Sequence, residues 1–286
     1  MEHVTVKDLV LGSGGVLVSG SEEAPVSHIR LDSRQVEPGD LFVPLLGERV
    51  DSHRFLPQVM DQGAAAVLTS QELTLPEGGA GCAVIRVEDT KKALQKIGSY
   101  LRDRLTLPLV GVTGSVGKTT TREMIAAALS ARFRVYKTPG NSNSQVGVPV
   151  TLSEITENDQ VGVIELGMSE PGEMTVIANI ARVDMAVITN IGITHIGQLG
   201  SQENILREKL HITDGMKDGG LLILNGDDPL LKGVQGREGL RTVYYGTGEN
   251  CDFRAVDICF EDGFPSFTAV HGADRQRVRL NVMGQH

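Results

Sequence analysis

The chain has 286 residues, 40% of them hydrophobic and 22% charged, with a formal net charge of −9, 4% aromatics and no tryptophan. At roughly 100–200 residues per domain this length predicts two domains; the acidic balance, without a basic run longer than residues 102–104, argues against nucleic-acid binding and against base-stacking platforms. No stretch approaches the ~18 consecutive apolar residues of a membrane span, the start lacks the charged-then-apolar pattern of a signal peptide, and the three cysteines, Cys82, Cys251 and Cys259, have no ligand-like spacing, so the expectation is free thiols in a reducing cytoplasm.

The first hundred residues predict a small α/β unit. Residues 28–48 alternate short apolar runs with turn residues such as Pro38-Gly39-Asp40. Residues 53–70 read as helix, glycine stop and strand, and residues 90–105 as a helix leading to Pro108, where a second domain begins. The expected division is therefore 1–107 and 108–286.

From residue 109 apolar strands alternate with helices: strand 109–114, helix 118–133, strand 161–168, helix 172–181, strand 184–192, helix 201–216 and strand 220–228. That alternation predicts a mostly parallel, three-layer α/β domain with ligands at the carboxyl ends of its strands. Beyond residue 240, three further segments read as antiparallel additions.

The strongest local signal is Gly-Val-Thr-Gly-Ser-Val-Gly-Lys-Thr-Thr-Thr, residues 111–121. A strand, a glycine-containing loop, Lys118-Thr119 and a helix supply amide donors, a helix N-terminus and one ammonium for a triphosphate, and the Thr119 hydroxyl can join a magnesium shell. The match to the usual phosphate-loop spacing is imperfect, because Val112 stands at the first glycine position. Other strand ends add polar groups: Glu165, His195, and Asn225, Asp227 and Asp228. A hard cation between phosphates needs oxygen ligands, which Thr119 and Glu165 suit. His195 could hold a second cation or cap a loop. The loop at 137–146, with Asn141 and Asn143, is ordinary turn chemistry taken alone.

One residue breaks its pattern. On the helix expected over Ser201–Met216, Ile205, Leu206, Leu210, Ile212 and Met216 share one arc at ~100° per residue, and Arg207, Glu208, His211 and Asp214 lie opposite. Lys209 falls inside the apolar arc. It could snorkel outward or pair with a buried acid; buried without a partner it would become neutral.

These motifs, in this order, resemble the ATP-dependent Mur ligases of peptidoglycan synthesis. The segments at 117–124, 137–149, 165–174, 189–209 and 224–229 are most similar to the branch that joins D-alanyl-D-alanine to UDP-N-acetylmuramoyl-tripeptide, and the run from Asp32 to Phe55 resembles the domain holding the UDP end of the substrate. The resemblance implies ATP at Thr113, Gly114, Ser115, Val116, Gly117, Lys118, Thr119 and Thr120, with Asn225 and Asp228. It implies Mg2+ at Thr119, Glu165 and His195, with Lys209 as a carbamate serving as a further anionic ligand. Lys118, Glu165, His195 and Lys209 would be the catalytic groups, and Asp32, Ser33, Arg34, Asn141 and Asn143 would contact the UDP-linked substrate.

The implied chemistry is activation of a carboxylate by ATP to an acyl phosphate, then attack by the dipeptide amine, in a cytoplasmic monomer. Val116 and Ser144 stand where the family pattern has asparagine, and Gly284-Gln285-His286 stops inside a Gly-x-His-Asn motif, so the chain alone is expected to be an inactive fragment. The alternatives are another amide ligase of the superfamily, against which the Asp32-Ser33-Arg34 motif argues, and a non-catalytic module that binds ATP or the UDP-precursor.

Overall fold

A computed structural model describes residues 1, 3–47, 50–72 and 81–283. Two compact units emerge, Met1–Leu107 with Thr138–Gln160, and Pro108–Lys137 with Val161–His286.

The first unit is built on five strands, β1 (Val16–Ser19), β2 (Ile29–Arg30), β3 (Leu41–Phe42), β4 (Ala66–Thr69) and β5 (Ala83–Arg86). Their order is β1-β5-β4-β3-β2, parallel except at β1. Side-chain alternation splits them between two cores. Leu41, Leu68 and Ile85 face one, with Leu9, Leu94 and Ile97; Phe42, Val67 and Val84 face the other, with Leu56 and Val59. Those last residues belong to α1 (Val6–Ser13), α3 (Thr90–Arg104) and, on the second face, α2 (Leu56–Asp61). Asp89 caps α3 by accepting from Lys92 N at 2.9 Å, and Ala93, Leu94, Ile97 and Leu101 give it a buried stripe at helical spacing.

The second unit opens with β6 (Leu109–Thr113), buried throughout, then α4 (Lys118–Ser130) and β7 (Val135–Lys137). Residues 138–160 then pack with the first unit, which otherwise ends at Leu107. The physical reason is close packing of α5 (Gly147–Ser153) on α3: a Cβ at Gly98 would lie 2.7 Å from Pro149 Cβ and 2.8 Å from its Cα. A spatial unit here is not a continuous stretch of chain.

Back in the second unit come β8 (Val161–Glu165), α6 (Glu173–Ala181), β9 (Met185–Ile188), α7 (Ile196–Leu199), α8 (Gln202–Leu210), β10 (Leu221–Asn225), β11 (Arg241–Gly246), β12 (Phe253–Glu261), β13 (Phe264–His271) and β14 (Asp274–Arg279). The nine strands run β14-β13-β12-β11-β10-β9-β6-β8-β7. Val110, Val112, Val161, Val163 and Val187 meet Ala126, Ile125 and Leu129 of α4 on one face of this sheet. All pairs from β7 to β12 are parallel; only β12-β13 and β13-β14 are antiparallel. Segment 241–246 therefore extends the parallel sheet, contrary to the antiparallel expectation: its full register on β10 supplies five parallel pairs, from Leu221↔Arg241 to Asn225↔Tyr245.

The single helix expected over Ser201–Met216 is also shorter. α8 ends at Leu210 and passes into a 3-10 turn at His211–Thr213. Gly215 lies beyond that turn, where a Cβ would meet Ala178 O at 2.1 Å. Among the described residues no helix is long and apolar enough to cross a membrane.

Filling the α3–α5 contact should be costly. Gly98→Val is expected to lower stability by about 2–3 kcal/mol through overpacking, measured by denaturant unfolding; an unchanged midpoint would contradict the close helix contact.

Candidate nucleotide and cation site

β6 lies inside the sheet, between β8 and β9, and its carboxyl end leads directly into the loop 114–117. Gly114 is required there: its φ is +152°, and a Cβ would sit 1.9 Å from Thr189 Oγ1. Gly117 adopts φ +81° with nothing within 4 Å of a would-be Cβ, leaving the approach to the start of α4 clear. The first amides of α4 have no intrahelical acceptor and carry the positive end of the helix dipole. Lys118 Nζ donates to Gly114 O at 3.0 Å, so its ammonium bends back over the loop. Together these features form a cradle suited to phosphate.

Beside it, Thr119 Oγ1 donates to Glu165 Oε2 at 2.9 Å. Glu165 ends β8 and is 2% exposed; it also receives Arg122 Nη1 at 3.3 Å. Arg122, itself 4% exposed, turns Nη2 to Glu123 Oε1 at 2.7 Å, and Glu123 pairs in turn with Lys137. Two partners thus hold one carboxylate oxygen of Glu165, which offsets the cost of burying its charge. A hydroxyl and a carboxylate offer the hard oxygens that Mg2+ prefers. Among the described residues there is no group of three or more His, Cys, Asp and Glu suited to a metal ion, so phosphate and water oxygens would have to complete such a shell.

Lys209 is 2% exposed. Burial, and then the neighbouring Lys118 charge, push its pKa down to about 7, against a smaller opposing effect of Glu208. His195, at the N-cap of α7 with φ +65°, is also shifted down, by burial first and then by Lys209 and Lys118. Its neutral imidazole is the form that ligates metals. Three sequence-predicted groups, Lys118, His195 and Lys209, are therefore electrostatic neighbours.

Glu208 does not lie on the solvent face as the helical wheel placed it. It is 7% exposed and accepts from Met174 N at 3.0 Å, satisfying an otherwise open amide in the first turn of α6.

Asn225 and Asp228 are turned toward backbone. Asn225 Nδ2 donates to Thr189 O at 3.0 Å and its Oδ1 accepts from Asp227 N at 3.0 Å. Asp228 accepts from Ile191 N at 2.8 Å and from Leu230 N and Leu231 N at 2.8 and 3.1 Å. Both fasten the segment leaving β9. Thr120 and Thr119 are exposed on the first turn of α4, and Thr113 Oγ1 is buried without a partner.

The expected substrate residues belong to the first unit. Asp32, just past β2, caps a 3-10 turn over Ser33–Gln35 and grips Arg34 Nη2 at 2.6 Å; its hydrogen bonds with Arg34 lower the carboxyl pKa to about 2. Asn141 is exposed, and Asn143 N donates to Asn141 O at 2.7 Å in a tight turn. The Gly284-Gln285-His286 motif lies outside the described residues.

Residues 112–286 match the Mur ligase middle domain, and residues 25–101 match the Mur ligase family catalytic domain. The chain belongs to the Mur ligase family. It is 41% identical over 283 residues to the Bacillus subtilis UDP-N-acetylmuramoyl-tripeptide–D-alanyl-D-alanine ligase, a match covering 99% of this chain and 60% of that relative. The fold superimposes on MurF from Acinetobacter baumannii with TM-score 0.88 at 31% identity, over 98% of this chain and 61% of that one. MurF ligase from Thermotoga maritima in complex with ADP gives TM-score 0.79 at 28% identity, over 89% and 58%. This Mur ligase chain thus spans about three fifths of the length of these relatives.

Arg122, Glu208 and Thr189 were not singled out from the sequence. Arg122 carried a usable signal, since with Ile125, Ala126 and Leu129 it completes an i, i+3, i+4, i+7 stripe on α4.

The depressed Lys209 pKa has a definite stability consequence. The folded chain releases this proton near pH 7 and the unfolded chain near 10.5, so between those values the unfolded state binds more protons and stability rises with pH. In carbon dioxide-free buffer Lys209→Met should stabilise by about 2 kcal/mol below pH 7, a gain that fades as pH climbs toward 10.5. Thermal melts across that range check it; a gain independent of pH would contradict a buried titrating amine.

Proposed function

We propose that this chain supplies the UDP-precursor-binding and ATP-binding parts of an amide ligase of peptidoglycan precursor synthesis, which joins D-alanyl-D-alanine to UDP-N-acetylmuramoyl-tripeptide. The observation that carries the reading is a single sheet edge with a phosphate cradle at Lys118, an oxygen pair at Thr119 and Glu165, and a buried amine at Lys209 coupled to His195. The name of the Bacillus subtilis relative supports the choice of substrates.

In this reading the tripeptide carboxylate attacks the γ-phosphorus of ATP, ADP leaves, and an acyl phosphate forms. The dipeptide amine then attacks the acyl carbon, loses a proton and expels phosphate. Neither step needs a nucleophilic side chain; both need positioning and charge neutralisation. Lys118 and the amides of Gly117, Lys118 and Thr119 hold the phosphates, and Glu165 is oriented by Thr119 and Arg122. Magnesium bound by Thr119 and Glu165 would neutralise the charge between carboxylate and triphosphate. The neutral amine of Lys209 can add to carbon dioxide with loss of a proton, giving a carbamate whose anionic oxygens, with His195, suit a second cation. Asp32, Ser33, Arg34, Asn141 and Asn143 serve the UDP-linked substrate. The enzyme works as a cytoplasmic monomer.

The test is phosphate release from ATP with both substrates, for this chain and for a version extended to the length of its relatives. Dipeptide-dependent release is expected from the extended chain only. In that background Lys118→Ala should lower kcat by about 100-fold or more, and Lys209→Ala should lose activity that short-chain carboxylates partly restore. Release by the extended chain that ignores the dipeptide would overturn the reading.

A further inference from the structure

The loop that cradles phosphate in the reading above is held by a side chain outside the nucleotide motif. We propose that Asn190 is a positioning residue, whose amide clasps Val116 and thereby sets the conformation of the phosphate loop. Val116 N donates to Asn190 Oδ1 at 3.1 Å, and Asn190 Nδ2 donates to Val116 O at 2.9 Å. One side chain therefore satisfies both backbone groups of one loop residue, and that pairing also fixes which end of the amide is oxygen. The main chain continues the contact: Ser115 N donates to Asn190 O at 3.1 Å, and Gly192 N donates to Ser115 Oγ at 2.8 Å. Thr189 Oγ1 donates a second bond to Val116 O, at 2.6 Å.

The clasp works because Asn190 is itself anchored from behind. Thr189 O accepts from Asn225 Nδ2, Ile191 N donates to Asp228, and Ile191 O accepts from Gln202 Nε2 at 3.2 Å. The backbone on either side of Asn190 is thus fixed by β10's end and by α8, the helix that carries Lys209. Two consequences follow. With its N–H given to Asn190, Val116 is not a phosphate donor, and that duty falls to the amides at Gly117, Lys118 and Thr119. The Val116 side chain, 62% exposed, has no part in the clasp, so a valine can replace the asparagine of the family pattern without altering the loop.

The inference rests on the nucleotide reading, so the test separates the two. Calorimetric titration with ATP and Mg2+, and hydrogen exchange at the Val116 amide without nucleotide, are measured on this chain and on Asn190→Ala, Asn190→Asp and Asn179→Ala. Asn190→Ala should weaken ATP binding about tenfold, as expected for two lost hydrogen bonds, and speed Val116 exchange, with cooperative melting retained. Asn190→Asp can still accept from Val116 N but sets a carboxylate against Val116 O, and should weaken ATP at least as much. Asn179→Ala, which removes an exposed amide bonded to Thr175 in its own helix, should change neither. Unchanged exchange in Asn190→Ala overturns the clasp, and faster exchange with unchanged ATP affinity overturns its positioning role. An unmutated chain that binds no ATP refutes the nucleotide reading, while the exchange measurement still decides the clasp.

Discussion

The junction between the Gly114–Val116 loop and the end of β9 is the constraint on which the rest of the site depends. A phosphate-binding loop has to expose bare amides, and an unsupported glycine-rich segment has many other conformations available. Here β6 is buried on both faces, so its end cannot drift, and Thr189 fills the space that a side chain at Gly114 would need. The loop is therefore shaped by the neighbouring strand as much as by its own sequence. The same strand end leads into His195, so the phosphate cradle and a candidate cation ligand share one support.

Electrostatics at this edge is deliberately unbalanced. Burial first, and then the Lys118 charge, lower the proton affinity of Lys209 and His195, and Lys209 adds to the effect on His195. Such a cluster is unfavourable in an empty protein and becomes favourable when a polyanion arrives. On the acidic side, Glu165 is held by Arg122 and Thr119, which keeps a carboxylate ready for a cation without leaving it unpaired. Arg122 also links it to Glu123 and Lys137.

Much of this was legible in the residues. The strand–loop–helix at 109–130 has a local signature, because the glycines, Lys118 and Thr119 do their work through spacing along the chain. Lys209 was legible as a misfit on a helical wheel, and its burial bears that out. What was not legible depends on contacts between distant segments. Asn225 and Asp228 are polar groups at a strand end whether they face a ligand or the backbone of Thr189 and Ile191. Residues 138–160 follow the first strand of the second unit, and only packing of α5 on Gly98 assigns them to the first. Glu208 looked solvated because its partner, Met174 N, opens a different helix. The apolar pattern over 201–216 continues through the 3-10 turn at His211–Thr213, where Ile212 is buried as it would be on a helix, so periodicity does not mark the end of α8.

The central claim is that this edge binds a triphosphate together with a hard cation held through Thr119 and Glu165. The most direct measurement is the affinity of the chain for ATP in excess Mg2+ and in excess chelator. The account predicts at least about tenfold tighter binding with Mg2+, and loss of that difference in Glu165→Gln. Equal affinity with and without Mg2+, or a difference that survives Glu165→Gln, would contradict it.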